Sequence, residues 1–162
     1  MKNTLQELGE LGLGSRFNRL SDYLMKETQT VYNILHIDFD PYLFPIFKII
    51  IDQKMATTSE IQEQLQYTQP AITQALKKLV YKGLVKFKTD AIDKRKKIFR
   101  VSSKGKKMHT RLIPVWDTID KQVKWLTEGS STSLTRHLTH MENQFKKKSL
   151  SQRILENLNQ SS

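Results

Sequence analysis

The sequence predicts a mainly α-helical chain with one small β-hairpin. Three observations predict it. Apolar residues recur at helical spacing along most of the 162 residues. The period changes to two only between Leu84 and Ser102, where apolar and basic residues alternate. Proline, glycine, acidic and hydroxyl residues stand where helices should start and stop.

Taken in order, the first element spans residues 4–35. Leu5, Leu8, Leu11, Phe17, Leu20, Leu24, Val31 and Leu35 lie on one helical face, and Gly9, Gly12 and Gly14 weaken its start. No strand precedes these glycines, so they do not make a phosphate-binding loop. Asp40-Pro41 is an N-cap followed by proline at the first helical position. It opens a strongly apolar helix to about Gln53, which reads as core. Thr57-Thr58-Ser59-Glu60 is a capping box. It starts a short helix with Ile61 and Leu65 inward. Tyr67-Thr68 forms a turn, with Thr68 as the next cap and Pro70 in the first turn beyond it. Ile72, Ala75, Leu76, Leu79 and Val80 make an apolar stripe, and Gly83 ends the helix. Two short helices with a tight turn form a helix-turn-helix. Strands Leu84–Lys88 and Lys97–Ser102 follow, joined by the polar loop Thr89–Lys96. A basic hairpin in that position makes a wing.

After Gly105 a long helix is expected to about Glu128, with Met108, Leu112, Val115, Ile119, Val123 and Leu126 close to a heptad seam and Pro114 as a kink. Gly129-Ser130-Ser131 should break it. Leu134, Leu138, Met141 and Phe145 form another stripe. Lys146–Ser149 interrupts it, and Leu150, Ile154, Leu155 and Leu158 complete a last helix.

Composition narrows the function. The chain carries 27 Lys and Arg against 16 Asp and Glu, a net +11. The excess is local. Residues 1–76 are net −3, residues 77–111 net +12, and residues 112–162 net +2. A solvated surface is the plain alternative, but so one-sided a run repels itself and points to a polyanion. The absence of cysteine excludes a disulfide scaffold, thiol catalysis, thiolate metal sites and thiol redox sensing. No nucleophile, base and orienter are grouped, and there is no G-x-S-x-G or P-loop, so no enzyme is expected and no cofactor is implied. His137 and His140 share a helix face, but His36 and His109 are not placed near them, so no metal site is expected. The N-terminal stretch lacks the apolar core of a signal peptide, and Tyr42–Ile51 is too short for a ~20-residue membrane span. A cytoplasmic location is expected.

The stretch TSEIQEQLQYTQPAITQALKKLVYKGLV, followed by DAIDKRKKIFRVSSKGKK, resembles the MarR family of winged helix-turn-helix transcriptional regulators. Asp93-Lys94-Arg95 matches that family's D-x-R wing tip. Ser102-Ser103-Lys104-Gly105 matches its strand-to-helix junction. The resemblance is specific over about residues 57–107 and extends elsewhere through helix order and length. It implies three regions: a dimerisation helix in 1–40, the DNA-binding domain in 41–107 and C-terminal dimerisation helices in 108–162. It also implies a homodimer acting on an inverted repeat as a repressor, with activation as the alternative output. The apolar stripes of the first and last helices agree with a dimer, and an intramolecular bundle is the alternative. The DNA face would comprise Thr68, Gln69, Pro70, Ala71, Thr73, Gln74, Lys77 and Lys78 on the recognition helix. Glutamine can read adenine, and lysines further along the helix, Lys82 included, would meet phosphates. The wing would contribute Asp93, Lys94, Arg95, Lys96 and Lys97, with Arg95 in the minor groove and Asp93 holding its guanidinium. Family members often respond to small aromatic ligands. Phe17, Tyr23, Phe39, Tyr42, Phe47 and Trp116, with Phe44 beside them, are the candidate pocket. The competing expectation is a winged helix that binds RNA or protein, or DNA without sequence preference.

Overall fold

The computed structural model describes residues 4–127 and 134–160. Its helices are α1 (Thr4–Glu7), α2 (Leu13–Ile34), α3 (Phe44–Asp52), α4 (Thr58–Leu65), α5 (Gln69–Tyr81), α6 (Ser103–Thr127), α7 (Leu134–Lys147) and α8 (Leu150–Gln160). Short 3₁₀ turns occupy Gly9–Gly12 and Pro41–Leu43. The strands are β1 (Ala56–Thr57), β2 (Val85–Thr89) and β3 (Lys97–Val101), forming an antiparallel sheet in the order β1-β3-β2. The expected end of α6 at Glu128 and the break at Gly129–Ser131 lie outside the described residues. The chain divides into two compact units, residues 1–113 and 114–162.

In the first unit the core forms between α2's C-terminal end, α3, α4, α5 and the sheet. Phe47, Ile50, Ile61, Ile72 and Leu79 are wholly enclosed, and each such side chain contributes about 1.5–3 kcal/mol of apolar burial. Tyr32, Phe39 and Phe47 stack in sequence, with ring centroids 6.0 and 5.3 Å apart. Phe39 and Phe47 are thereby buried side chains of the core. Tyr23 and Tyr42 are exposed and Phe17 is half-buried, while Trp116 falls in the second unit.

Helix boundaries follow local chemistry. The Asp40 carboxylate accepts a hydrogen bond from the Tyr42 amide at 3.0 Å, with Pro41 at the first position. Thr57 and Glu60 exchange both capping-box bonds. Thr68 occupies the N-cap of α5, but its hydroxyl makes no capping bond, contrary to expectation; its carbonyl accepts from Ile72 instead. Two residues after α5, Gly83 takes φ +69°, a conformation in which side chains cost about 1–2 kcal/mol. The strand β1, unrecognised from sequence, pairs Ala56 with Phe99 and Thr57 with Ile98. Two residues are too few to show a period.

The strand-to-helix junction explains Ser102-Ser103-Lys104-Gly105. The Ser102 hydroxyl donates to the Gly83 carbonyl at 2.6 Å and accepts from the Gly105 amide at 2.9 Å. The Ser102 amide donates to Leu84, and Lys104 donates to the Lys82 carbonyl. A Cβ on Gly105 would lie 2.1 Å from the Leu84 carbonyl oxygen. Arg111, further along α6, donates to the carbonyls of Leu35 and His36 at the end of α2. α6 remains helical through Pro114.

In the second unit, Ser149 and Gln152 form a capping box that starts α8: the Ser149 backbone N–H donates to the Gln152 side-chain Oε1, and the Gln152 backbone N–H donates to the Ser149 hydroxyl. Arg153 reaches back to the carbonyls of Gln144 and Lys148. Leu150, Ile154, Leu155 and Leu158 stay exposed. Among the described residues, no helix is long and apolar enough to cross a membrane.

Candidate nucleic-acid interface

The recognition helix is presented by its own apolar stripe. Ile72, Leu76 and Leu79 are buried, which turns the opposite face outward. Thr68, Gln69, Pro70, Ala71, Thr73, Gln74, Lys77 and Lys78 are all exposed. Gln66, left-handed at φ 55°, ends α4 and sets the turn into α5.

Two of the expected phosphate-binding lysines have protein partners. Lys78 Nζ lies 3.3 Å from the Asp40 carboxylate, and Lys82 Nζ lies 2.5 Å from that of Asp38. These pairs tie the second half of α5 to the segment before α3. The Lys82 hydrogen bond, with its charge, holds the Asp38 carboxyl below its ordinary value. These ties leave no local signal in the sequence, because 38 and 44 positions separate the partners. Lys77 makes no ion pair among the described residues.

The wing tip is a constructed turn. The Asp90 carboxylate accepts from the amides of Ile92 and Asp93, both at 2.9 Å. Those bonds, the one from Asp93 foremost, hold its carboxyl below the ordinary value. The Asp93 carboxylate accepts from the Arg95 amide at 3.0 Å. The Lys96 amide and carbonyl close the loop against Asp93 and Asp90. The expectation that Asp93 holds the Arg95 guanidinium is therefore corrected: it holds the backbone amide. A carboxylate two residues ahead caps a turn more readily than it meets its neighbour's long side chain. Arg95 is exposed, as are Lys94, Lys96 and Lys97, and Lys97 sits 4.6 Å over the Phe87 ring. Asp90 was not among the residues expected at the wing tip. Its signal was Asp-x-x-Asp inside a basic loop, the pattern of nested side-chain turns.

The helix-turn-helix, the charged hairpin and the glycine junction occupy one continuous stretch. Residues 44–97 match the MarR family. No curated protein sequence matches the chain. Solved structures extend the likeness beyond that segment. BldR from Sulfolobus solfataricus, a transcriptional regulator, is similar with a TM-score of 0.62 at 21% identity, over 91% of this chain and 99% of its own. A mutant MarR from E. coli complexed with operator DNA gives a TM-score of 0.63 at 20% identity, over 90% and 98%. The S. aureus MepR–DNA complex gives 0.64 at 19%, over 84% and 96%. At these identities the likeness establishes the fold, a mainly helical chain with a three-stranded wing sheet.

Proposed function

We propose that this protein is a transcriptional regulator that binds double-stranded DNA as a homodimer at an inverted repeat and represses by occupying a promoter. The observation that carries the reading is the run of exposed polar residues Gln69, Thr73, Gln74 and Lys77 on α5, beside a wing tip that offers an Arg95 guanidinium with no ion pair among the described residues. Glutamine and threonine contact base edges in the major groove, lysine meets phosphate, and an arginine suits a narrow A·T-rich minor groove. The family match over residues 44–97 and the DNA complexes of MarR and MepR support it.

Dimerisation is supported by apolar side chains that each unit leaves uncovered. In the first unit these are Leu20, Tyr23, Leu24 and Ile34 of α2; in the second they are Ile154, Leu155 and Leu158 of α8. A second copy would remove them from water. Release by a small aromatic ligand belongs to the same reading, with Phe17, Tyr23, Phe39, Tyr42 and Phe47 of the first unit as the residues to probe.

The test is selection of bound duplexes from a random pool by the purified protein, at about 0.15 M salt so that non-specific phosphate binding is suppressed. An inverted repeat with half-sites about one helical turn apart is the expected result. Retention without any enriched sequence would replace this reading with a non-specific architectural role. Retention of RNA alone would replace it with an RNA-binding one.

A further inference from the structure

The basic stretch has a second concentration of charge, apart from the recognition helix and the wing tip. Lys86 and Arg100 stand directly opposite one another on β2 and β3. Phe87 and Phe99, next along each strand, border a cavity with α5. Lys86 and Arg100 border a different cavity, with the C-terminal end of α3 and the first turns of α6. That cavity measures about 550 Å³, and it also receives Lys54, Lys106 and His109. Its remaining lining includes Ile50, which is fully buried, and Ile51, half-buried. Among the described residues, no carboxylate lines it.

Like charges facing each other across a ladder are destabilising. Elsewhere the chain relieves such charges: Lys48, Lys78 and Lys82 each meet an aspartate. Lys54, Lys86, Arg100 and Lys106 make no ion pair among the described residues. The Arg100 guanidinium contacts only the Met55 sulfur, at 3.4 Å, among the hydrogen bonds described, and a thioether is a weak acceptor. Four cations around an apolar floor, in a concavity of small-molecule size, have a complementary ligand. It carries at least two negative charges for the cations and an apolar body for the half-buried Ile51 and Val101. Guanidinium and ammonium groups bind phosphate and carboxylate alike.

We propose that this pocket is a binding site for a small organic dianion, an aryl phosphate or an aromatic dicarboxylate, distinct from the face offered to DNA. The site stands whether or not the chain binds a duplex.

The test is calorimetric titration of the full chain at about 0.15 M salt with phenyl phosphate, inorganic phosphate and phthalate. One saturable site per chain is expected for phenyl phosphate or phthalate; which of the two binds tighter distinguishes a phosphate ligand from a carboxylate one. Phenyl phosphate should bind more tightly than inorganic phosphate, because only it covers Ile51 and Val101. Replacing Lys86→Gln together with Arg100→Gln should weaken binding at least about tenfold, the scale of a lost charge-assisted hydrogen bond. Lys106→Gln, on the exposed side of α6, should weaken it in the same direction without touching the sheet. Replacing Lys94→Gln together with Arg95→Gln at the wing tip should leave binding unchanged. Equal loss in the wing-tip variant, unsaturable binding, or no loss in the pocket variants would overturn the proposal. So would a pocket variant whose only defect is a weaker, less salt-dependent hold on a DNA duplex, for then the cations are a seat for the nucleic-acid backbone.

Discussion

Arg95 shows how a single side chain is made available. Its amide is held by the Asp93 carboxylate, and Asp93's own amide by Asp90, so the loop backbone is fixed while the guanidinium is left to solvent. The two acidic residues in a stretch with a net charge of +12 therefore serve the backbone. Arg95→Ala should weaken binding to the selected duplex and reduce the salt dependence of affinity by about one unit of log–log slope. A salt titration in which wild type and variant coincide removes Arg95 from the interface. Gly105 makes the opposite case, a residue whose importance is packing. A methyl group there meets a backbone oxygen that cannot swing aside. Gly105→Ala should cost about 3 kcal/mol, at the upper end for overpacking, and lower the melting temperature by roughly 6–12 °C for a chain of this size. An unchanged melt means that α6 and the Leu84 turn slide apart freely. Both residues were legible in the sequence as motif positions. Their reasons were not, because the Asp93 contact is with a backbone amide and the Gly105 contact is with a carbonyl from the far side of the wing.

At the scale of elements, the capping box at Thr57 links the sheet to the helix-turn-helix. Thr57 pairs with Ile98 in the sheet and also caps α4 through Glu60. The Thr57 amide, and then its hydroxyl, hold the Glu60 carboxyl below its ordinary value. A depressed carboxyl pKa contributes stability that is present above the unfolded value and lost as pH falls through the folded one. Thr57→Ala should thus cost about 1 kcal/mol at neutral pH, and the gap from wild type should narrow below about pH 4. Urea midpoints measured from pH 3 to pH 7 check this; the Thr57 amide bond to Glu60 survives the substitution, so a gap that ignores pH would mean that the hydroxyl contact with the Glu60 carboxylate contributes nothing. Elements with strong local signals were readable from sequence: α3 from Asp40-Pro41, α4 from its capping box, α5 from its stripe and Gly83. The pairs Asp38–Lys82 and Asp40–Lys78 were not, since they depend on where the segment after α2 passes α5. They alter the interface, since Lys78 and Lys82 reach duplex phosphates only by leaving their aspartates. Of the helix lysines Lys77, Lys78 and Lys82, Lys77 is therefore the phosphate contact to mutate first.

At the scale of the whole molecule, the buried apolar residues among those described all belong to residues 1–113. The second unit places a strongly one-sided helix, α8, in water, with Ile154 50% and Leu155 60% exposed. Exposed leucines scattered singly would need no explanation; a row at steps of four, one and three along one helix does. An inverted repeat needs two recognition helices held at a fixed spacing, and apolar association of two chains supplies that spacing without any further domain. The two demands converge on the same residues. Replacing Ile154→Glu together with Leu155→Glu should leave the wing and recognition helix folded while converting the protein to a monomer in sedimentation at micromolar concentration. The monomer should still bind duplex DNA, with about half the salt slope of the dimer because half the phosphates are neutralised. It should also lose the preference for a second half-site at one-turn spacing. If the unsubstituted chain itself sediments as a monomer, the apolar row has another purpose and the inverted-repeat reading falls with it. If the variant remains a dimer, α8 is not the surface that joins the two copies, and the uncovered face of α2, with Leu20, Tyr23 and Leu24, is where the same substitution should succeed.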